Sequence, residues 1–407
     1  MNFRKLLLIL FILFSPDISH AGEPGFEFDR DRRRIRVPVK ISQNLIVVPV
    51  SINGSAPLNF ILDTGIRTTI LTEPLMAEML GLGFDESIFV FGLGGEGIVE
   101  ATRSRDVTIQ IRGVTGKNMN LIILPEDVLS FSEMMGFPVH GIIGYDFFKN
   151  FPVEINHHAQ TLQIYRDQNY RIGRRSNVIP LQIIDQKPYV KATLVGQNAD
   201  TVTTNLLVDL GASHAAYVNN KHLRLSDITI QSFLGQGLSG NLTGRMGRVE
   251  KLIIHDKIAV DDVLVAYPDK EFITFFDQEI EWEGIIGGEI LKRFDIIFDY
   301  QAEQMVLRRN FQFRKPFTPN LSGMEVIAEG RNFNKFMVHK VRPGSSAYEA
   351  GIMAGDQIIS INHKRAQQIR LDDIFEKMTG NPGRVITMIL LRNGETFRTS
   401  FRLREDI

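Results

Sequence analysis

The sequence of 407 residues contains no cysteine. Disulfide bonds, thiolate nucleophiles and cysteine-ligated metal sites are therefore excluded, although the redox compartment stays open. The sequence also has no excess of one charge, because it contains 46 basic and 47 acidic side chains and its net charge is -1. No nucleic-acid partner or anionic membrane surface is expected from such a balance. The one basic cluster, "RDRRRIR" at 30–36, is expected to be a solvated segment ahead of the first domain.

Long hydrophobic runs are missing as well, since no segment approaches the roughly 20 apolar residues that span a bilayer. The longest run, "LLLILFILF", lies close to the start, after Arg4 and Lys5 and before the small residues "SHA" at 19–21. This order is typical of a secretory signal peptide, here residues 1–21. The alternative is an uncleaved leader that anchors the protein. We predict an exported protein, periplasmic or associated with the cell envelope, with no stable membrane span after cleavage.

Two glycine-rich stretches share the spacing G-x-G-x-x-G: "FGLGGEG" at 91–97 and "LGQGLSG" at 234–240. A dinucleotide-binding loop requires a strand before this spacing and a helix after it. Here the following segments, "IVEATRSRDVTIQI" and "RMGRVEKLIIH", are rich in β-branched residues and predict strands. We therefore reject nucleotide binding, expect no cofactor, and predict that each stretch forms a turn between two strands.

The chain repeats itself. "LNFILDTGIRTTIL" at 58–71 has its counterpart in "TNLLVDLGASHAAYV" at 204–218, and "HGIIGYDFFKNF" in "EGIIGGEILKRF". The offset between copies is 146 residues for Asp63 and Asp209, and 143 for Gly141 and Gly284. Short apolar or alternating segments separated by turn residues predict strands. We predict two β-rich lobes, 35–170 and 176–312, each with one short helix, at "DFFKNF" and "EILKRF".

Asp-Thr-Gly after apolar residues, a glycine-rich turn, and then Ile-Ile-Gly before a short helix resemble the retropepsin-like fold of aspartic proteases. The resemblance implies a mainly β protein in which two tandem barrel lobes form a bilobal protease. It implies that Asp63 and Asp209 share a proton and activate a water against a polypeptide substrate, without a metal or cofactor. The supporting loop residues would be Thr64, Gly65, Leu210 and Gly211. The glycines of the flaps that close over the substrate would be Gly92, Gly94, Gly95, Gly97, Gly235, Gly237 and Gly240.

Two positions depart from the family pattern. Leu210 replaces a Thr or Ser whose hydroxyl bonds across the base of the two loops, and Leu cannot form that bond. Arg67 stands where the family usually has Asp or Ser. If Arg67 faced the carboxyls it would favour their ionised forms, whereas facing solvent it would change little. The departures leave two hypotheses: an active endopeptidase, or a catalytically inactive pseudoprotease that binds peptides or serves as a scaffold.

Other chemical motifs are given structural interpretations. His157 and His158 lie in a predicted surface turn without a third ligand nearby, so no zinc site is expected. Ser213 and His214 are adjacent on a predicted strand and would point to opposite faces, which excludes a nucleophile–base pair.

After a linker with Pro316 and Pro319, the stretch "FMVHKVRPGSSAYEAGIMAGDQIISINHKRA" at 336–366 resembles the PDZ domains of bacterial envelope proteases. The resemblance implies a small α+β domain over 320–407. Such domains bind extended peptides by adding a strand to a sheet edge, with backbone amides receiving a C-terminal carboxylate. A C-terminal peptide is therefore a second predicted partner. We predict that the groove involves Phe336, Met337, Val338 and Ile352.

Overall fold

The computed structural model describes residues 24–90, 98–197, 200–219, 223, 226, 228–238, 240–269 and 282–407. The predicted signal peptide and the glycines of 91–97 lie outside these ranges. Strands dominate, which confirms the mainly β class. Within the described ranges, no helix has the length and apolar character needed to cross a membrane.

The first lobe is a barrel. Its elements, together with three strands that belong to the central sheet, are β1 (Gly25–Phe28), β2 (Arg34–Pro38), β3 (Lys40–Ser42), β4 (Leu45–Ile52), β5 (Leu58–Leu62), β6 (Thr69–Leu71), β7 (Glu86–Val90), β8 (Val99–Ile111), β9 (Val114–Ile123), α1 (Phe131–Met135), β10 (Gly141–Ile143), α2 (Tyr145–Phe148), β11 (Val153–Asn156) and β12 (Thr161–Tyr165). The strand order β8-β9-β6-β10-β5-β4 closes on itself because β4 also pairs with β8.

The second lobe repeats this arrangement. Its elements are β13 (Ser176–Pro180), β14 (Gln182–Ile184), β15 (Lys187–Val195), β16 (Thr201–Val208), β17 (Ala216–Val218), β18 (Ile230–Gly237), β19 (Gly240–Ile254), β20 (Ile258–Pro268), β21 (Trp282–Ile286), α3 (Gly288–Leu291), β22 (Phe294–Asp299) and β23 (Gln304–Arg309). The order β19-β20-β17-β21-β16-β15 is closed by the pairing of β15 with β19. Each pairing of the first ring therefore has a counterpart in the second, and the sequence repeat is a repeat of topology.

A third sheet fastens the lobes together. Its order is β13-β23-β22-β11-β12-β2, and its middle pair joins β11 of the first lobe to β22 of the second. Val153 lies opposite Phe298 and Ile155 opposite Ile296, all in one hydrophobic core that continues through both lobes. Burying these side chains fixes the register, because a shift by one residue would turn them to the other face.

The turn after β11 departs from the prediction. His158 is exposed as expected, but His157 is buried and its Nδ1 lies 3.1 Å from the carbonyl oxygen of Phe294 in the second lobe. Burial lowers the pKa of His157 to about 4, so this ring is neutral near pH 7. Across the described part of the chain, no group of three or more His, Asp or Glu side chains is arranged to hold a metal.

The two predicted helices exist and are short. Phe147 and Phe148 of α2 are buried, as are Ile290 and Leu291 of α3. Helices of one turn are unstable alone, so packing of these apolar pairs holds them. The first lobe has an additional helix, α1, which the sequence interpretation did not anticipate.

The C-terminal domain is a small α+β unit with its own core. Its elements are β24 (Met324–Glu329), β25 (Lys335–Val341), α4 (Ser346–Glu349), β26 (Gln357–Ile361), β27 (Lys364–Arg365), α5 (Leu371–Met378), β28 (Val385–Arg392) and β29 (Glu395–Arg402). The sheet order is β24-β25-β26-β28-β29, with β27 paired to β26.

The predicted peptide groove at Phe336, Met337, Val338 and Ile352 is wrong. The strand that carries the first three, β25, pairs with β24 on one edge and with β26 on the other, so no peptide can add there. Phe336 and Val338 are each 1% exposed and Ile352 is 2% exposed, because they belong to the core of the domain. Alternating apolar residues mark a strand but do not distinguish a central strand from an edge. The edge strand beside β25 is β24, and β29 forms the opposite edge of the sheet.

Candidate active site

Each predicted catalytic aspartate directly follows a strand of its barrel. Asp63 comes after β5 and Asp209 after β16. The amide of Asp63 donates to the carbonyl oxygen of Ile143 and that of Asp209 to Ile286, both over 2.9 Å. The two loops are therefore held by equivalent backbone bonds.

The loops meet across the lobes. A Cβ atom added to Gly211 would lie 2.2 Å from Oδ2 of Asp63, and one added to Gly65 would lie 3.2 Å from Cγ of Asp209. Each glycine thus lies against the carboxyl of the opposite lobe, and at Gly211 any side chain would overlap it. The glycine amides serve their own loops, donating from Gly65 to Asp63 over 2.6 Å and from Gly211 to Asp209 over 2.7 Å.

The two carboxyls lie together and favour one shared proton. Burial raises the pKa of Asp63 well above its usual range, and the charge of Asp209 raises it further. Burial also raises the pKa of Asp209, although the amide of Gly211 opposes that rise. Two carboxyls this close do not both ionise easily, so the pair retains one proton.

At the junction beneath the carboxyls, the first lobe contributes a hydroxyl and the second lobe contributes an apolar side chain. Thr64 is fully buried, donates through Oγ1 to the carbonyl oxygen of Val208 over 2.6 Å, and accepts from the amide of Leu210 over 3.0 Å. Leu210, 1% exposed, belongs to the main hydrophobic core and has no hydroxyl to return these bonds. One hydroxyl therefore joins the two loops where the family pattern has two.

The side chain of Arg67 is held in an ion pair away from the carboxyls. Its guanidinium pairs with Asp185, in the turn between β14 and β15, and its side chain is 50% exposed. Of the two orientations left open by the sequence, the structure favours the one at the solvent-accessible rim. The pair adds a contact between the first aspartate loop and the second lobe.

Lys187 is a charged residue near the carboxyl pair that the sequence interpretation missed. It begins β15 opposite Ile184 and is only 7% exposed. Its positive charge lowers the pKa of both Asp63 and Asp209. Burial and the charge of Arg67 lower its own pKa to about 8, although the two aspartates oppose this. Lys187 is therefore a cation below about pH 8.

The repeat itself contained the signal for Lys187. In the first lobe the corresponding residue is Leu45, which begins β4 opposite Ser42 and is buried. Matching the two hairpins residue by residue places a lysine where the other copy has an apolar side chain.

His214, next to Ser213, lies with Nδ1 2.8 Å from the hydroxyl of Tyr217, which donates to the carbonyl oxygen of Leu234 over 2.7 Å. Burial lowers the pKa of His214 to about 4, so it is neutral and can donate from Nδ1. The two side chains anchor β18, and with it the second glycine-rich hairpin.

That hairpin reaches from the second lobe to the first. Gly237 and Gly240 face each other at its tip, and Gly235 lies at a bulge. Gly235 and Gly240 have φ of 131° and 126°, which strains residues other than glycine. The side chain of Gln236 donates to the carbonyl oxygen of Val128, and Leu238 packs against the apolar cluster of the first lobe. The hairpin therefore bridges the lobes, whereas Gly92, Gly94, Gly95 and Gly97 lie outside the described residues.

Comparisons with known proteins agree with the two predicted resemblances. Residues 48–147 match the family model described as aspartyl protease, and residues 311–391 match the PDZ domain. The first match contains the loop of Asp63 but not that of Asp209. A search of curated proteins gave no match.

Solved structures also show similarities. The crystal structure of the aspartic proteinase from Irpex lacteus is 12% identical, with a TM-score of 0.42 over 69% of this chain and 99% of that chain. The photosystem II D1 C-terminal processing protease is 22% identical, with a TM-score of 0.20 over 21% of this chain and 23% of that one.

Leu210→Thr tests whether the junction has adapted to leucine. We expect a lower melting temperature, because threonine loses buried apolar volume and places a second hydroxyl in the core, at a cost of about 1–3 kcal/mol. Thr64→Val should also lower it, since two existing bonds are lost. The control is Leu75→Thr, because Leu75 is 87% exposed. If Leu210→Thr melts no lower than this control, the junction accepts a second hydroxyl and Leu210 is a simple defect.

Proposed function

We propose that the chain is an exported aspartic endopeptidase that hydrolyses peptide bonds through Asp63 and Asp209. The observation that carries the proposal is the contact of Gly211 with the carboxyl of Asp63, which brings two buried aspartates from different lobes together. Export rests on the predicted signal peptide. The PDZ domain would recruit a peptide or a partner protein.

The carboxyl pair has the protonation that peptide hydrolysis needs. A water held between the carboxyls would lose a proton to ionised Asp209 while its oxygen attacks the carbonyl carbon. Protonated Asp63 would donate its proton to the carbonyl oxygen, giving a tetrahedral diol without a covalent enzyme intermediate. Breakdown of the diol would return a proton to the leaving nitrogen. Both roles require one proton on the pair, and burial together with the charge of the neighbouring carboxyl supports its retention on the pair.

The second glycine-rich hairpin suits a cover for an extended substrate. Its glycines allow the backbone to approach a peptide closely, while Tyr217 fixes its base. Closing such a hairpin would exclude bulk water from the carboxyl pair, which strengthens the electrostatic interactions there.

A second candidate function is a pseudoprotease that binds peptides without cleaving them. The observation in its favour is Leu210, because loss of one hydroxyl weakens the positioning of the aspartates, and errors near 1 Å can lower rates about 100-fold. Thr64 still bonds to the opposite loop on both sides of Asp209, at Val208 and Leu210, which favours the active enzyme.

Asp63→Asn and Asp209→Asn should each abolish cleavage of an unfolded polypeptide, because neither variant can share the proton. Melting temperature should change little. Cleavage by the parent protein should be blocked by a statine-type mimic of the tetrahedral intermediate and resist chelators and serine-directed reagents. Asp261→Asn is the control, since this side chain is 73% exposed. Full activity in either active-site variant rules out the two-carboxylate mechanism. No cleavage by the parent between about pH 3 and pH 8, with peptide binding intact, favours the pseudoprotease.

Lys187→Leu, which copies Leu45 of the first lobe, should move the pH profile of kcat/KM to higher pH on both limbs. The lysine cation favours ionised carboxyls, so its removal raises the pKa of both Asp63 and Asp209. Lys187→Arg keeps the charge and should leave the profile close to that of the parent. If Lys187→Leu changes only the melting temperature, or moves the profile to lower pH, Lys187 does not tune the carboxyl pair.

A further inference from the structure

The edge strand β24 and the helix α5 of the PDZ domain frame a groove, and α1 of the first lobe packs against this edge. Gly136 ends α1 between the two walls. A Cβ atom added to Gly136 would lie 2.9 Å from Cβ of Leu371, the first residue of α5, and 3.7 Å from Cβ of Ala328 in β24. Only a glycine fits this space without displacing Leu371.

Polar contacts hold α1 in the same place. Ser42, at the end of β3, donates to the carboxylate of Asp372 in α5 over 2.6 Å. The neighbouring Gln43 donates through its side chain to the carbonyl oxygen of Met134 in α1. The β3–β4 turn thus binds α1 on one side and the PDZ helix on the other, which fixes the helix at the groove.

The loop before β24 is poorly prepared for a terminal carboxylate. The amides of Leu321, Ser322 and Met324 donate to the carbonyl oxygen of Met378, Oδ1 of Asn320 and Oγ of Ser322, over 3.0, 3.0 and 3.1 Å. Amides already bonded inside the domain have less to offer a carboxylate. The groove therefore suits an internal segment such as α1 better than the C-terminal peptide implied by the resemblance.

Displacement of α1 would alter contacts of the second glycine-rich hairpin at the candidate active site. Val128, just ahead of α1, accepts the bond from Gln236 in the second glycine-rich hairpin. The PDZ domain also touches that hairpin directly, with the ammonium of Lys340 3.4 Å from the ring centre of Phe233. The groove and the hairpin thus share neighbours.

We propose that α1 is the resident ligand of the PDZ groove, so that an extended peptide recruited to β24 must displace it. Recruitment of an outside peptide rests on the proposed function, whereas docking of α1 does not depend on protease activity.

Occupancy of the groove is tested with a fluorescent synthetic peptide of residues 127–139. Gly136→Ala should loosen α1, because its Cβ atom would lie 2.9 Å from Cβ of Leu371, whereas the matched control Gly330→Ala, at a similarly positive φ, would meet nothing within 4 Å. Both full-length variants carry Asp209→Asn so that cleavage cannot interfere. Gly136→Ala should bind the probe at least about tenfold more tightly than Gly330→Ala, because the free fraction of the groove sets the apparent affinity. Equal binding by the two variants, or binding by neither, refutes α1 as the groove ligand. A failure of proteolysis in the parent protein bears on the proposed function alone.

Discussion

The contact of Gly211 with the carboxyl of Asp63, and of Gly65 with Asp209, is the constraint on which the candidate site depends. Two loops that are far apart in sequence lie so close that a Cβ atom at Gly211 would overlap a carboxylate oxygen. Each closed barrel fixes one loop through a bond to the Ile-Ile-Gly strand, and the central sheet fixes the barrels relative to each other. The barrels and the sheet thus serve one purpose, which is to hold two buried carboxyls together against their mutual repulsion.

The two copies have diverged where the loops meet. Thr64 of the first lobe bonds to the opposite loop on both sides of Asp209, whereas the side chain of Leu210 of the second contributes apolar packing alone. Lys187 introduces a cation where Leu45 is apolar. Even a symmetric pair of close aspartates would share one proton, because both cannot ionise easily, and unequal surroundings only bias which carboxyl carries it. Divergence between the lobes is therefore compatible with the proposed mechanism.

Features that depend on recurring sequence motifs could be predicted from the sequence. The duplicated lobe, the two short helices and the convergence of Asp63 with Asp209 follow from markers that recur at constant offsets. Lys187 was missed because its importance arises only when the β14–β15 hairpin folds over the other lobe's loop. The groove was misplaced because Phe336 and Val338 alternate as any strand does, and strand order is a tertiary property. His157 was expected in a surface turn, but the pairing of the central sheet buries it, with its ring next to the carbonyl oxygen of Phe294.

The most direct test of a shared proton is a carbon-13 NMR titration of the Asp63 and Asp209 carboxyl groups in the full chain. Labelled aspartate with assignment by single Asp→Asn variants would separate the two signals. We predict that one proton is retained by the pair above the usual aspartate range, with Asp63 titrating at the higher pH and each signal responding to both steps. Two independent titrations at ordinary aspartate pKa values would contradict the carboxyl pair, and with it the proposed mechanism.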